Sequence, residues 1–418
     1  MIFFYSIALL SIIVGLCYYA YLMLTSKKNR LQKEEIVKEK PQIAILIPAR
    51  NESLVIEELV KSIEKQTYKV NPQDVYVIVE SENDPTVEIV KKHKMSYFVR
   101  KKLQLKTKGY ALAEMVEDLK IQKKDYDLYF IFDADNVLDK DFIKYMLEDY
   151  QQGYAISTGY RTFKNTNHYF PICAGLTFFM INEIRNRSAL KKNGNLILSG
   201  TGYYIHGKYI KEWGTFPFHS LTEDYESSLY YALHGISTHY QSKAVFYDEQ
   251  PENYKKSITQ RSRWIKGYLQ NWLKYRPKLK KKLKEKPINP RSLIEMQIGI
   301  TPALYIVFGL VLLIILVLLS TSFSSSWQLA IYLLCFVGII YLSLVLLTAI
   351  LLYMVSKQLK LTPKVYFESL LYHPIFIISY LHAFVIALCK KNLSWDTITH
   401  TAKKTSKQGN YSDYNMQK

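Results

Sequence analysis

The chain has 418 residues, 49% of them hydrophobic, and a formal net charge of +19, a length that holds two or three domains. Its four cysteines, Cys17, Cys173, Cys335 and Cys389, have no metal-ligand spacing and three lie in apolar runs, which speaks against a disulfide framework and a zinc site. The basic excess gathers beside apolar runs, where it suits anionic headgroups better than nucleic acid.

Residues 2–24 carry no charge and are long enough to span a bilayer. They are read as a transmembrane helix within residues 1–26. The competing reading, a cleaved signal peptide, lacks both a basic start and a small-residue cleavage site. Lys27, Lys28 and Arg30 follow the run. Residues 271–299 form a second basic segment, with Lys274, Arg276, Lys278, Lys280, Lys281, Lys282, Lys284, Lys286 and Arg291. Basic flanks stay in the cytoplasm, so the region between them is expected to be cytosolic.

Residues 300–389 are read as membrane helices. Runs 300–320 and 327–355 are uncharged and of spanning length. Run 365–389 holds Glu368, His373, Pro374 and His382, and a break at Pro374 would make it a re-entrant or hairpin element. That break keeps the basic tail, residues 390–418, in the cytosol.

Between the basic segments, residues 41–270 alternate strand and helix signals. Apolar runs at Ile43–Pro48, Val75–Val79 and Leu128–Phe132 read as buried strands, and 52–64, 84–93 and 107–120 as helices. This is the α/β pattern of a parallel sheet, whose ligands sit beyond the carboxyl ends of the strands. Asn51, Glu80 and Asp133 all fall at that edge.

Three clusters carry chemistry. In Asp133-Ala134-Asp135 alternate carboxylates face one way after a strand, and can converge on a hard cation such as Mg2+ or Mn2+. An ordinary turn is the plain alternative. Thr222-Glu223-Asp224 offers a carboxylate able to act as base, and equally a helix start capped by Thr222. In Gln260-Arg261-Ser262-Arg263-Trp264, helical spacing groups Gln260, Arg263 and Trp264. Arginine suits phosphate oxygens and tryptophan a sugar face. A basic amphipathic helix on a membrane is the alternative.

Together these clusters resemble the membrane-embedded family-2 glycosyltransferases, the cellulose, chitin, hyaluronan and poly-N-acetylglucosamine synthases. The resemblance implies a cytosolic GT-A domain beside a helical transmembrane domain, an inverting mechanism and a Mg2+ or Mn2+ cofactor. It implies that Asp133 contacts the nucleotide sugar, Asp135 holds the metal and Asp224 is the base. Gln260, Arg263, Lys108 and the loop of Ala49, Asn51 and Glu52 would bind the UDP-sugar, with Glu80 where relatives carry an aspartate. Gly200, Thr201, Glu223 and Trp264 would meet the acceptor. The segment of Trp395, Thr397 and His400 resembles a gating element.

The expected reaction moves a hexose or N-acetylhexosamine from a UDP-sugar to a growing β-linked polysaccharide. A single transfer to a lipid uses the same motifs and remains open, as does the need for an accessory subunit. A non-catalytic scaffold would not need all three acidic positions and the Arg-Trp pair.

Overall fold

The computed structural model describes residues 2–24, 38–191, 194–285, 290–298, 327–356 and 361–390, with a few short stretches between them. Ile2–Leu24 forms an uncharged helix, α1. The first half of the middle region follows strand by helix: β1 (Ile43–Pro48), α2 (Ile56–Glu64), β2 (Val75–Val79), α3 (Thr86–Lys92), β3 (Ser96–Val99), α4 (Lys108–Ile121) and β4 (Leu128–Ile131). Then come β5 (Val137–Leu138), α5 (Phe142–Gln151), β6 (Ile156–Phe163), and α6 (Tyr169–Met180), which runs through a π-helical turn into α7 (Arg187–Lys191). β7 (Tyr203–His206), α8 (Gly207–Trp213), α9 (Glu223–His234), β8 (Thr238–Asp248) and α10 (Tyr254–Lys284) complete it.

The eight strands form one sheet in the order β3-β2-β1-β4-β7-β6-β8-β5. Side chains alternate across it, as strand geometry demands. Ile43, Ile45 and Ile47 face the core under α2, α3 and α5, while Ala44 and Leu46 face the core under α4, α8 and α9. Both faces are covered, so the strands read as continuous apolar runs rather than alternating ones.

The parallel sheet expected from sequence holds for β3-β2-β1-β4. Beyond β4 the sheet is mixed, with β7 antiparallel to both β4 and β6. The reason is local. The loop before β7 ends at the carboxyl edge of β4, where Gly202 N donates to Ile131 O at 2.9 Å, so β7 can only run back down beside β4. Likewise α2 begins at Ile56 rather than at residue 52. Asn51 has φ +57°, and Glu52 N donates to Thr86 Oγ1 at 3.1 Å, which holds this stretch as a loop.

Helix α11 (Pro290–Ile298) follows α10, and α12 (Trp327–Ser356), α13 (Pro363–Ile378) and α14 (Tyr380–Cys389) close the described chain. Pro374 does not break its segment: it lies inside α13, and the interruption falls at Ser379. The Tyr341 hydroxyl of α12 donates to Leu371 O at 2.9 Å beside that proline. The run Pro363–Cys389 is long and apolar enough to cross a membrane, with 28% of its most apolar window buried. Most of the run expected at 300–320 lies outside the described residues, as do Trp395, Thr397 and His400.

Candidate active site

The carboxyl ends of β1, β2 and β4 gather the expected polar loops. Ala49 N donates to Ile78 O at 2.8 Å, continuing the strand pairing to the loop. Asp84 joins two loops, accepting from Asn51 N and Thr86 N, both at 2.9 Å. Glu80 ends β2 as expected, but its carboxylate is engaged by Arg50 Nε at 2.9 Å, with Arg100 Nη1 at 3.7 Å. Arg100 is in turn bound by the buried Glu114 at 2.7 Å. Both acids therefore bond the opening loop, Glu80 through Arg50 and Asp84, which the sequence reading passed over, through Asn51 N.

Asp133 and Asp135 follow β4 as half-exposed carboxylates on either side of the buried Ala134. Asp133 N donates to Thr201 Oγ1 at 2.9 Å, and the Thr201 hydroxyl donates to Asn136 Oδ1. Asn136 Nδ2 reaches Asp135 Oδ1 at 3.3 Å and Asp248 Oδ1 at 3.2 Å. Asp248 in turn takes the Arg161 guanidinium, with Nε at 3.0 Å. Arg161 and Asp248 are both buried. The acidic turn thus stands on a buried ion pair that sequence reasoning missed. One signal was available: Asp248 follows the short apolar run Ala244–Tyr247, just as Asp133 follows one.

The donor set suits Mg2+ or Mn2+. Two hard carboxylates on one open turn fit an ion that completes its shell with water and substrate phosphates. Among the described residues no group of three or more His, Cys, Asp or Glu side chains forms a closed metal cage.

Lys108 opens α4, and its ammonium donates to Asp133 Oδ1 and, at 2.7 Å, to Gly200 O. Burial opposes its charge, but Asp133, Glu223 and Asp224 outweigh that and raise its pKa. Gly200 has φ +82°, a conformation natural to glycine. These contacts bring the expected lysine, the acidic turn and the Gly200–Thr201 loop together.

Thr222 occupies the N-cap of α9, yet its hydroxyl does not bond the helix. It accepts from Asn271 Nδ2 at 3.1 Å, and Asn271 also donates to Thr222 O at 3.1 Å. Gly267 lets α10 approach this closely, since a Cβ there would stand 2.5 Å from Thr222 Oγ1. One turn further along α10, Lys274 Nζ donates to Glu226 Oε1 at 2.6 Å. Glu226 Oε2 accepts from the backbone of His219 and Ser220, fixing the loop before α9. So α10 clasps the start of α9. Asp224 Oδ1 accepts from Tyr225 N at 2.8 Å. Burial raises the pKa of Asp224, while Tyr225 N and Lys108 oppose that rise. Burial and the neighbouring Asp224 raise the pKa of Glu223 as well.

Gln260, Arg263 and Trp264 lie on the face of α10 that also bears Gly267 and Asn271, as a period of 3.6 requires. Gln260 and Trp264 are half-buried and Arg263 is buried. Trp264 meets Phe178 of α6 edge to face at 5.7 Å, and the Arg161 guanidinium lies 3.8 Å from the centre of the same Phe178 ring. Trp264 and the acidic turn therefore share one support. A separate cavity of about 400 Å³, lined in part by Gln42, Asp74 and Tyr126, lies at the amino ends of the strands, away from these carboxylates.

The profile of a family described as glycosyltransferase like family 2 matches residues 41–267. The chain belongs to this family. Two curated relatives are similar to it. The probable glycosyltransferase YdaM of Bacillus subtilis is 23% identical over 278 residues, 64% of this chain and 66% of that protein. A poly-beta-1,6-N-acetyl-D-glucosamine synthase of Staphylococcus epidermidis is 24% identical over 264 residues, 61% of each chain. The match thus spans just under two thirds of these relatives' length. A solved mannosyltransferase from Pyrobaculum calidifontis, in complex with GDP-Man and Mn2+, is 14% identical with a TM-score of 0.61. It covers 93% of this chain and 100% of that one, and it bears out the α/β nucleotide-sugar transferase fold.

Proposed function

We propose that this family-2 glycosyltransferase moves a hexose or N-acetylhexosamine from a UDP-sugar to a hydroxyl at the end of a β-linked polysaccharide, with inversion. The observation that carries the reading is the meeting of Asp224, Lys108, Gly200 and the Asp133–Asp135 turn at one sheet edge. Names of relatives support it: one is a poly-beta-1,6-N-acetyl-D-glucosamine synthase.

In the proposed step the acceptor oxygen attacks the anomeric carbon and the bond to UDP breaks. Asp224 takes the acceptor hydroxyl proton. Its raised pKa makes it a stronger base than an ordinary aspartate while it still ionises near neutral pH. Lys108 and Arg263 place positive charge at the departing diphosphate, where charge develops. Trp264 holds the acceptor ring by its face. Asp135 with Asp133 would hold Mg2+ or Mn2+, which would supply further charge neutralisation on the diphosphate. The loop of Ala49, Asn51 and Glu52, held to Asp84 and Thr86, is the proposed seat of the nucleoside.

We place the catalytic domain at the cytosolic face of a membrane. Leu342, Leu346, Phe367, Ile375 and Leu388 are exposed on α12, α13 and α14, an arrangement suited to hydrocarbon rather than water. The test is a panel of UDP-sugars with purified protein and Mg2+ or Mn2+, following UDP release and product size. A ladder of products is expected. A single-sugar lipid would replace the polymerase reading, and UDP release with no transfer would end it.

A further inference from the structure

Arg261, the second residue of the Gln260–Trp264 cluster, points away from α9. It is 1% exposed and among the largest fully buried side chains of the protein. Its Nε donates to Ser257 Oγ at 3.1 Å, Nη1 to Phe376 O at 3.3 Å and Nη2 to Ser379 Oγ at 2.9 Å. The Ser379 hydroxyl in turn donates a hydrogen bond to Phe376 O at 2.6 Å. The guanidinium also lies over the rings of Phe376, at 4.2 Å, and Tyr380, at 4.5 Å.

None of these partners is a carboxylate. A buried cation without a counter-charge is costly, and an apolar side chain would fill the same space at less cost. What arginine adds is a planar fork of directed donors. Here the fork fixes three elements at one point: α10, the end of α13 and the start of α14. Farther along α10, Lys266 Nζ donates to Ala387 O at 3.0 Å and to Lys390 O at 2.6 Å, so α10 grips α14 at both ends. A second route reaches the same joint. Phe376 packs on Phe170 at 5.6 Å, the Tyr380 hydroxyl lies 3.4 Å from Thr177 Oγ1, and α6, which bears both partners, also bears Phe178 against Trp264.

We propose that Arg261 is a positioning residue for the saccharide acceptor: it locks the turn bearing Trp264 to the Ser379 joint, so that acceptor floor and neighbouring helices move as one body. The lock deepens the glycosyl-transfer reading and rests on it for its consequence, though not for its existence.

The experiment compares Arg261→Met, Arg261→Lys and Ser379→Ala with wild-type full-length protein. Three readouts are taken: donor hydrolysis by water, transfer to acceptor, and backbone amide exchange. Donor hydrolysis should fall less than transfer in all three variants, since Arg263, which serves the diphosphate, shares the loosened turn with Trp264. In Arg261→Met the ratio of transfer to hydrolysis should fall at least about tenfold, because misplacement by about an ångström suffices for such a loss. Arg261→Lys should fall less, since one of the fork's bonds can be remade. Exchange should quicken at both 260–264 and 376–382. Equal loss of both reactions together with a lowered Tm, or faster exchange at 376–382 alone, overturns the proposal. Should Arg261→Met fail to fold, Ser379→Ala carries the comparison, and an unchanged ratio with unchanged exchange overturns it. If wild-type protein transfers no sugar, the transfer reading fails, while exchange at the two segments still decides the lock.

Discussion

Gly200 lies against Asp224: a Cβ built on Gly200 would sit 3.4 Å from Asp224 Oδ2. Gly200 also has φ +82° and gives its carbonyl to Lys108. Gly200→Ala therefore meets two obstacles at once, a left-handed backbone costing about 1–2 kcal/mol and a methyl group beside the proposed base. We expect turnover to fall more than Tm, measured on detergent-purified protein. A loss of Tm with normal turnover in the surviving fraction would remove the loop from the acceptor site.

Asp224→Asn should leave UDP-sugar binding in place and lower transfer by about 10²–10⁴-fold, the range of general-base catalysis. The pH profile gives a second check. Because the Asp224 pKa is raised, activity should fall on acidification at a pH above the ordinary aspartate range. Lys108 lowers that pKa, so Lys108→Met should move this acid limb to higher pH. A limb that stays put separates Asp224 from the titrating base.

Glu223 should show the stability side of the same burial. Its folded-state pKa is raised, so its protonated form stabilises the fold, and that contribution is lost as pH rises through the folded pKa. Glu223→Gln keeps the neutral shape at every pH. Its Tm should match wild type in acid and exceed it in alkali. Equal Tm curves across pH would contradict the burial argument.

Asp135→Asn should weaken Mn2+ binding in the presence of UDP, read by paramagnetic relaxation, and lower activity by orders of magnitude. EDTA should silence wild-type protein, and Mg2+ or Mn2+ restore it. Full activity in EDTA would mean that the acidic turn serves without a metal.

Asp248→Asn tests the support under that turn. It leaves the buried Arg161 guanidinium without its carboxylate, which costs about 3–5 kcal/mol. A large drop in Tm is expected. Asp248→Asn protein with a normal Tm would show that the partner Arg161 already has in Ser199 O, at 2.7 Å, suffices to hold it.

The residues that could be read from sequence were those whose chemistry is local. Asp133 and Asp135 share one turn, Glu223 and Asp224 one helix start, and Gln260, Arg263 and Trp264 one helix face. The first strands were legible because they are buried on both faces. Arg161 and Asp248 were not, since they are 87 residues apart and meet only through the pairing of β6 with β8. Arg261 hid for another reason. Its neighbours in sequence carry the recognisable pattern, while its own partners lie 115 and 118 residues away. Glu80 stands where expected, but only the fold reveals Arg50 and Arg100 beside it.

The clasp of α10 on α9 bears on how the protein can be divided and how it is made. A polypeptide cut at residue 270, where the family match has just ended, would keep all three acidic and Arg-Trp clusters and lose Asn271 and Lys274. Thr222 and Glu226 would then lack the groups that hold the start of α9. During synthesis the same dependence sets an order. The start of α9 leaves the ribosome some fifty residues before Asn271 and Lys274, which secure it, so the site becomes whole only once the basic half of α10 has emerged.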